Sequence, residues 1–213
     1  MIIKNWQTYW KSHTTRFDAH VYGTCMVDHQ SKHFIPLVPK NASTWVKDFV
    51  GFVPGNYHDE LLVQNNYTPV IFLREPVNRW SSGIAEFLHR YGIAGSGWRD
   101  NLNSIALDLL FKRVAFDEHT ESQSMYLEGI DTEKAVFFKV DQTLNANVNH
   151  YFNQTVTPTT NTYVTSGKKH SIKKYFTDLI NTNPEYKQRI TEYYQVDTDL
   201  INSVQYYNNQ RNS

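Results

Sequence analysis

The chain contains a single cysteine, Cys25, and no long run of apolar residues. One cysteine excludes an internal disulfide and makes a cysteine-based zinc site implausible, which suits a reducing compartment. The segment 1–7 lacks the apolar core of a secretory signal, and no stretch approaches the roughly 18 consecutive apolar residues of a membrane span. We therefore expect a cytoplasmic protein with no membrane partner.

The chain also has no excess of charge of either sign, because 21 Lys and Arg residues balance 21 Asp and Glu residues. A global field that would attract nucleic acid is absent, so we expect no nucleic-acid partner and only local anion binding. The 213 residues, 40% of them hydrophobic, are enough for one sizeable core. We predict a single domain, 1–213, with a core at about 33–205, an N-terminal extension at 1–32 and a polar tail at 206–213.

Short apolar runs alternate with segments of helical spacing along the chain. The runs predict strands at 33–38, 69–73 and 135–140, and the spacing predicts helices that include 43–50, 77–91, 142–152 and one capped by Ser171. Parallel strands need crossovers, and helical crossovers cover both faces of a sheet. We therefore predict an α/β fold of three layers around a mainly parallel sheet, in which ligands bind beyond the carboxyl ends of the strands.

The first strand runs into a polar loop at 39–44, which carries Lys40 and the hydroxyls of Ser43 and Thr44. A helix start offers unpaired backbone N–H groups and the positive end of its dipole, so this loop suits a phosphate or sulfate. The glycine-rich pattern that ends in Gly-Lys-Ser/Thr, typical of ATP sites, is absent.

The second strand runs directly into Arg74, and Pro76 then fixes the turn into a helix. Arg79 and Ser82 lie three residues apart on one face of that helix. Arg74, as a forked donor, and Ser82, through its hydroxyl, could share one anion.

These two segments resemble the donor motifs of the sulfotransferase family. Segment 39–45, Pro-Lys-Asn-Ala-Ser-Thr-Trp, is similar to the 5′-phosphosulfate loop Pro-Lys-Ser-Gly-Thr-Thr-Trp. Segment 74–82 is similar to the 3′-phosphate motif Arg-x-Pro-x-x-Arg-x-x-Ser. A weaker likeness, partly to carbohydrate sulfotransferases, extends through 116–119, 136–141 and 166–170.

The resemblance implies a P-loop-NTPase-like sulfotransferase fold and a transferase that uses 3′-phosphoadenosine 5′-phosphosulfate, releases adenosine 3′,5′-bisphosphate and needs no metal. It implies donor binding by residues of both motifs and of the Lys pair near 168: Lys40, Asn41, Ala42, Ser43, Thr44, Trp45, Arg74, Ser82, Lys168 and Lys169. Lys40 would also be catalytic, because it can neutralise the bridging oxygen as the nucleotide leaves. Ala42 replaces a glycine of the family loop, and alanine disfavours positive φ.

A hydroxyl acceptor, either a small molecule or a glycan, must lose a proton, so a general base is also expected. His119, in the sequence Asp-Glu-His, is the first candidate, and His58 or Glu60 is the alternative. Two other functions stay open at this point, an ATP-dependent small-molecule kinase of related fold and a catalytically inactive nucleotide-binding module. The oligomeric state is not predicted.

Overall fold

The computed structural model describes residues 23–58, 66–90, 98–155 and 167–208. Its strands are β1 (Thr24–Asp28), β2 (His33–Pro36), β3 (Val53–Asn56), β4 (Thr68–Leu73) and β5 (Val136–Lys139). Its α-helices are α1 (Ser43–Val46), α2 (Pro76–Arg90), α3 (Trp98–Phe111), α4 (Leu144–Phe152), α5 (Gly167–Thr182), α6 (Pro184–Tyr193) and α7 (Gln195–Ser203). Short 3₁₀ helices cover Gln123–Leu127 and Thr132–Lys134.

The five strands form one open sheet in the order β3-β1-β2-β4-β5. The α/β class is confirmed, but the prediction of a mainly parallel sheet is wrong. Only β2, β4 and β5 are mutually parallel, whereas β1 pairs antiparallel with both β2 and β3. The sheet is therefore mixed, and its parallel half contains the three strands that were predicted.

The antiparallel half follows from the short connection between β1 and β2. The turn at 29–32 is closed by Asp28, whose side chain accepts a backbone N–H at 2.9 Å, and by Lys32 at a φ of 55°. So short a turn permits only antiparallel pairing. Strand β1 lies within the segment 1–32 that was assigned to an extension, and its Cys25 is buried in the core.

Both faces of the sheet are covered. Helices α1 and α4 pack on one face, around Phe72 and Phe138, and the 3₁₀ helix Gln123–Leu127 packs with α7 on the other, around Ile71. Helix α2 starts at Pro76, just beyond β4, and packs mainly against α5 in a separate helical cluster with α3 and α6. The carboxyl ends of β2 and β4 therefore meet the start of this helical cluster.

Two helix boundaries differ from the predictions by about a turn or more. Helix α1 ends at Val46 rather than at 50, because the following backbone N–H groups bond three residues back in a tighter turn. Helix α5 begins a turn before Ser171, so that residue does not cap it, and its hydroxyl donates to the carbonyl of Gly167 at 2.9 Å. Asn183 caps the following helix, α6, by accepting the backbone N–H of Glu185.

Among the described residues, none of the helices combines the length and the apolar content that crossing a bilayer requires.

Candidate functional site

The two loops with the family motifs lie side by side. Strands β2 and β4 are parallel neighbours, so the loops that leave their carboxyl ends emerge at the same edge of the sheet. The guanidinium of Arg74 donates to the backbone carbonyl of Lys40 at 2.9 Å. Two segments 34 residues apart in sequence thus form one surface.

The loop after β2 is held in an unusual backbone shape. Lys40 and Ala42 both have positive φ, at 66° and 63°. For alanine this left-handed conformation costs roughly 1–2 kcal/mol, and glycine avoids most of that cost. The position where the family motif has glycine therefore adopts the glycine-like conformation here, despite its methyl group.

The side chain of Asn41 holds the loop in this shape. Its amide donates to the carbonyl of Phe72 and to Oε1 of Gln123, both at 2.7 Å, and Asn41 is 2% exposed. Gln123 in turn bonds both the N–H and the carbonyl of Arg74. Asn41 was expected among the donor-binding residues, whereas its amide N–H groups bond inside the protein and join the two loops.

Trp45 was also expected beside the donor, but its ring lies in the core. It packs against Phe49 at 4.8 Å and against Phe72 at 6.3 Å between ring centroids. An indole is large and apolar, so the adjacent core attracts it more strongly than the loop surface does. At the start of α1, Ser43 is half-buried and Thr44 is exposed.

Lys40 and Lys169 converge on one carboxylate that the sequence analysis missed. Their Nζ atoms lie 3.4 Å and 2.9 Å from Oε2 of Glu86, on α2. Partial burial alone would raise the pKa of Glu86, but the hydrogen bond from Lys169 and the charge of Lys40 outweigh burial and lower the pKa to about 2. Burial lowers the pKa of Lys40, and Glu86 partly offsets this effect.

Lys173 is a second residue that the sequence analysis missed. Burial lowers its pKa, and so do the nearby charges of Arg74 and Lys40. It lies four residues after Lys169 on α5, on the same helix face. Within the described ranges, no ion pair joins Arg74 or Lys173 to a carboxylate. The four-residue spacing of Lys169 and Lys173 was the sequence signal that could have identified Lys173. Lys168, which was predicted with Lys169, is exposed on this helix.

The two remaining residues of the Arg-x-Pro motif differ in burial. Arg79 is fully buried, and its guanidinium donates to the carbonyls of Pro39 and Glu121. It therefore connects α2 to two loops rather than facing a ligand. Ser82 is half-buried and lies one turn before Glu86, on the helix side of the lysines.

His119, the first candidate base, is linked to this site by a series of side-chain contacts. Its Nδ1 lies 3.4 Å from Oε1 of Glu118, which Arg90 contacts at 3.0 Å. Arg90 also lies 3.6 Å from Oε1 of Glu86. A continuous series of side-chain contacts therefore runs from Lys40 through Glu86, Arg90 and Glu118 to His119.

The segment around His119 is buried and tightly packed. Nδ1 lies 2.8 Å from Oδ2 of Asp117, and a Cβ on Gly83 of α2 would collide with the His119 carbonyl. Glycine at 83 thus lets this segment approach the helix. Asp117, Glu118 and His119 have ligand-type atoms within 4.8 Å of one another, but these atoms already pair with each other, with Thr120 and with Arg90.

His58, one of the two alternative bases, lies apart from the two motif loops. His58 is exposed just after β3, where its ring is 4.6 Å from that of Tyr57 between centroids. Strand β3 is an edge strand whose neighbour is β1, so β1 separates His58 from the β2 loop. Glu60 lies outside the described residues.

Comparison of the chain with models of known protein families, with curated proteins and with solved structures finds no match. The likeness to sulfotransferases therefore depends on the residues of the two loops alone.

Proposed function

We propose that this protein is a sulfotransferase that moves a sulfuryl group from 3′-phosphoadenosine 5′-phosphosulfate to a hydroxyl acceptor. One observation carries the proposal: four cationic side chains, Lys40, Arg74, Lys169 and Lys173, gather where β2 and β4 end, and one carboxylate, Glu86, contacts two of them. Such an excess of partly buried positive charge favours a ligand with several negative charges. The parallel strands β2, β4 and β5 would form the core of a sulfotransferase fold.

The two loops suit the two ends of that donor. Lys40, with the hydroxyls of Ser43 and Thr44, would bind the phosphosulfate, and Arg74 with Ser82 would bind the 3′-phosphate. In the reaction, the acceptor oxygen forms a bond to sulfur as the bond from sulfur to the bridging phosphate oxygen breaks. Lys40 would stabilise the charge that develops on that bridging oxygen.

The acceptor proton would pass to His119, which Asp117 orients through Nδ1. Adenosine 3′,5′-bisphosphate is then the leaving product. No step in this scheme requires ATP, and the loop lacks the residue pattern of an ATP site.

Calorimetry with two nucleotides tests the proposal. We expect adenosine 3′,5′-bisphosphate to bind without magnesium and more tightly than ATP with magnesium. Preference for ATP would contradict the proposal and favour the kinase. If the bisphosphate binds but labelled sulfate is not transferred to any of a panel of sugars, phenols and sterols, an inactive nucleotide-binding module is the better description.

A further inference from the structure

A concave surface lies at the other side of the sheet edge, beyond β5. It is an open groove of about 1190 Å³ that shares no residue with the cluster of Lys40, Lys169 and Lys173, which we call the lysine cluster. Its walls are the end of β5, the start of α4 and the segment after α7, and it includes Asp141, Gln142, Asn147, His150, Tyr206 and Tyr207.

The segment after α7 forms one wall because it pairs with β5. Tyr206 makes a parallel bridge to Phe137, and the N–H of Tyr207 donates to the Phe137 carbonyl at 2.8 Å. Consecutive side chains of an extended segment point to opposite faces, so the two tyrosines pack in different cores of the sheet. The hydroxyl of Tyr207 is also fixed, 2.7 Å from Nδ1 of His150.

The groove differs from the lysine cluster in its charge. Its Lys139 and Asp141 lie 4.0 Å apart, so the two charges offset each other. The remaining polar groups are amides, hydroxyls and an imidazole, which together donate and accept hydrogen bonds. This lining suits an uncharged ligand that carries both donors and acceptors.

The volume of the groove and its aromatic rings restrict the class of ligand further. Sites for drug-sized ligands measure about 300–1,000 Å³, so this groove has room for a larger and extended molecule. Both tyrosines pack against the core, but each is half-buried, so part of its apolar ring stays exposed beside a polar edge. Sugar rings present C–H faces and hydroxyl edges, which match this combination.

We propose that the groove binds a neutral oligosaccharide of several sugar units. The proposal depends on the groove's own residues and not on sulfotransferase activity. The groove nevertheless begins next to the candidate site, because the N–H of Val140 donates to the carbonyl of Leu73, the residue before Arg74, at 2.8 Å.

The test is titration of the full chain with maltotetraose, cellotetraose and N-acetylchitotetraose, each beside its monosaccharide, by calorimetry or ligand-observed NMR. We expect at least one tetrasaccharide to bind more tightly than its monosaccharide. Tyr207→Ala should weaken this binding about tenfold, and Tyr207→Phe, which keeps the ring, should weaken it less. Adenosine 3′,5′-bisphosphate binding should be unchanged in both variants, which separates this proposal from the proposed function.

Tyr207 packs against Phe138 and Tyr151, so Tyr207→Ala also needs a variant that does not touch the core. Gln142→Ala serves this purpose because Gln142 is exposed in the groove, and Gln188→Ala, exposed on α6, is its control. We expect Gln142→Ala to bind the tetrasaccharide more weakly than the wild type and Gln188→Ala to bind it equally well. Failure of all three tetrasaccharides to bind, or binding that survives both groove substitutions, would overturn the proposal.

Discussion

The Nζ atom of Lys169 lies 2.9 Å from Oε2 of Glu86, although the two residues are 83 positions apart in the sequence. The same oxygen lies 3.4 Å from Nζ of Lys40. One carboxylate of α2 thus joins the loop after β2 to helix α5. Lys40, Arg74, Lys169 and Lys173 outnumber the nearby carboxylates of Glu86 and Glu75, so Glu86 keeps the lysines in place while leaving positive charge for a ligand.

The pKa of Glu86 makes this ion pair dependent on pH. Its folded value of about 2 lies below the ordinary value of 4.5, so ionised Glu86 stabilises the fold above about pH 4.5. This contribution declines as the pH falls from there through about 2. Glu86→Gln should therefore lower the free energy of unfolding at pH 6, and the difference from the wild type should shrink towards pH 2 in urea unfolding experiments.

Asp178→Asn is the matched control for Glu86→Gln. Asp178 pairs with Lys174 on α5, but its side chain is 57% exposed, and exposed pairs contribute little. A loss that is equal in both variants, or a Glu86→Gln effect that is independent of pH, would contradict the role assigned to Glu86.

Ala42→Gly should stabilise the protein, because glycine adopts the φ of 63° without the strain of a methyl group. Glycine also makes the unfolded chain more flexible, so we expect a net gain of up to about 1 kcal/mol in chemical denaturation. Ala146→Gly, at an exposed position inside α4, should have the opposite sign and cost about 0.5–1 kcal/mol. A destabilising Ala42→Gly would show that the loop does not adopt this backbone in solution.

The sequence could predict the elements that depend on local signals. Strands β2, β4 and β5 are apolar runs, and the polar loops after β2 and β4 follow them directly, so their boundaries were nearly correct. Strand β1 was missed because a five-residue strand that depends on a hairpin and on a second antiparallel partner has little local signature. Strand β3 was missed because Pro54 and Gly55, which usually interrupt strands, lie on an exposed edge strand where they are tolerated.

The site itself was predictable only in part. Lys40 and Arg74 follow strands and were identified from that position alone. Glu86 and Lys173 lie inside helices, where a charged residue is usually a solvated surface group, and only the packing of α2 against α5 brings them together. The burial of the Asn41 amide was not predictable, because its partner Gln123 is 82 residues away.

Lys40→Ala should slow sulfuryl transfer at saturating donor by about ten- to a hundredfold, because a charge-assisted contact to the leaving oxygen contributes about 1.5–3 kcal/mol. The affinity for adenosine 3′,5′-bisphosphate should fall less than the turnover. Lys47→Ala, exposed just after α1, is the control and should leave both unchanged. If Lys40→Ala turned over at the wild-type rate with saturating donor, Lys40 would not be a catalytic residue.

Lys173→Ala should mainly weaken nucleotide binding, because Lys173 lies in the field of Arg74 and Lys40 without a carboxylate partner among the described residues. We expect about a tenfold higher Kd for adenosine 3′,5′-bisphosphate, with a steeper loss at low salt, where screening is weak. Lys174→Ala is a closely matched control. Lys174 is the next residue along α5, but its side chain is 67% exposed and pairs with Asp178. If both substitutions raised the Kd equally, the effect would come from the overall charge of α5 and not from a specific role of Lys173.

His119→Asn and His58→Asn distinguish the two histidines proposed as the base. Asparagine can still donate to Asp117, so His119→Asn preserves the hydrogen bond at 2.8 Å while removing proton transfer. We expect its kcat to fall by about 10²–10⁴-fold with donor KM nearly unchanged, and its pH–rate profile to lose the limb that reports the base. His58, exposed beyond β3, should be replaceable with little effect, and the reverse result would assign the base to the loop after β3.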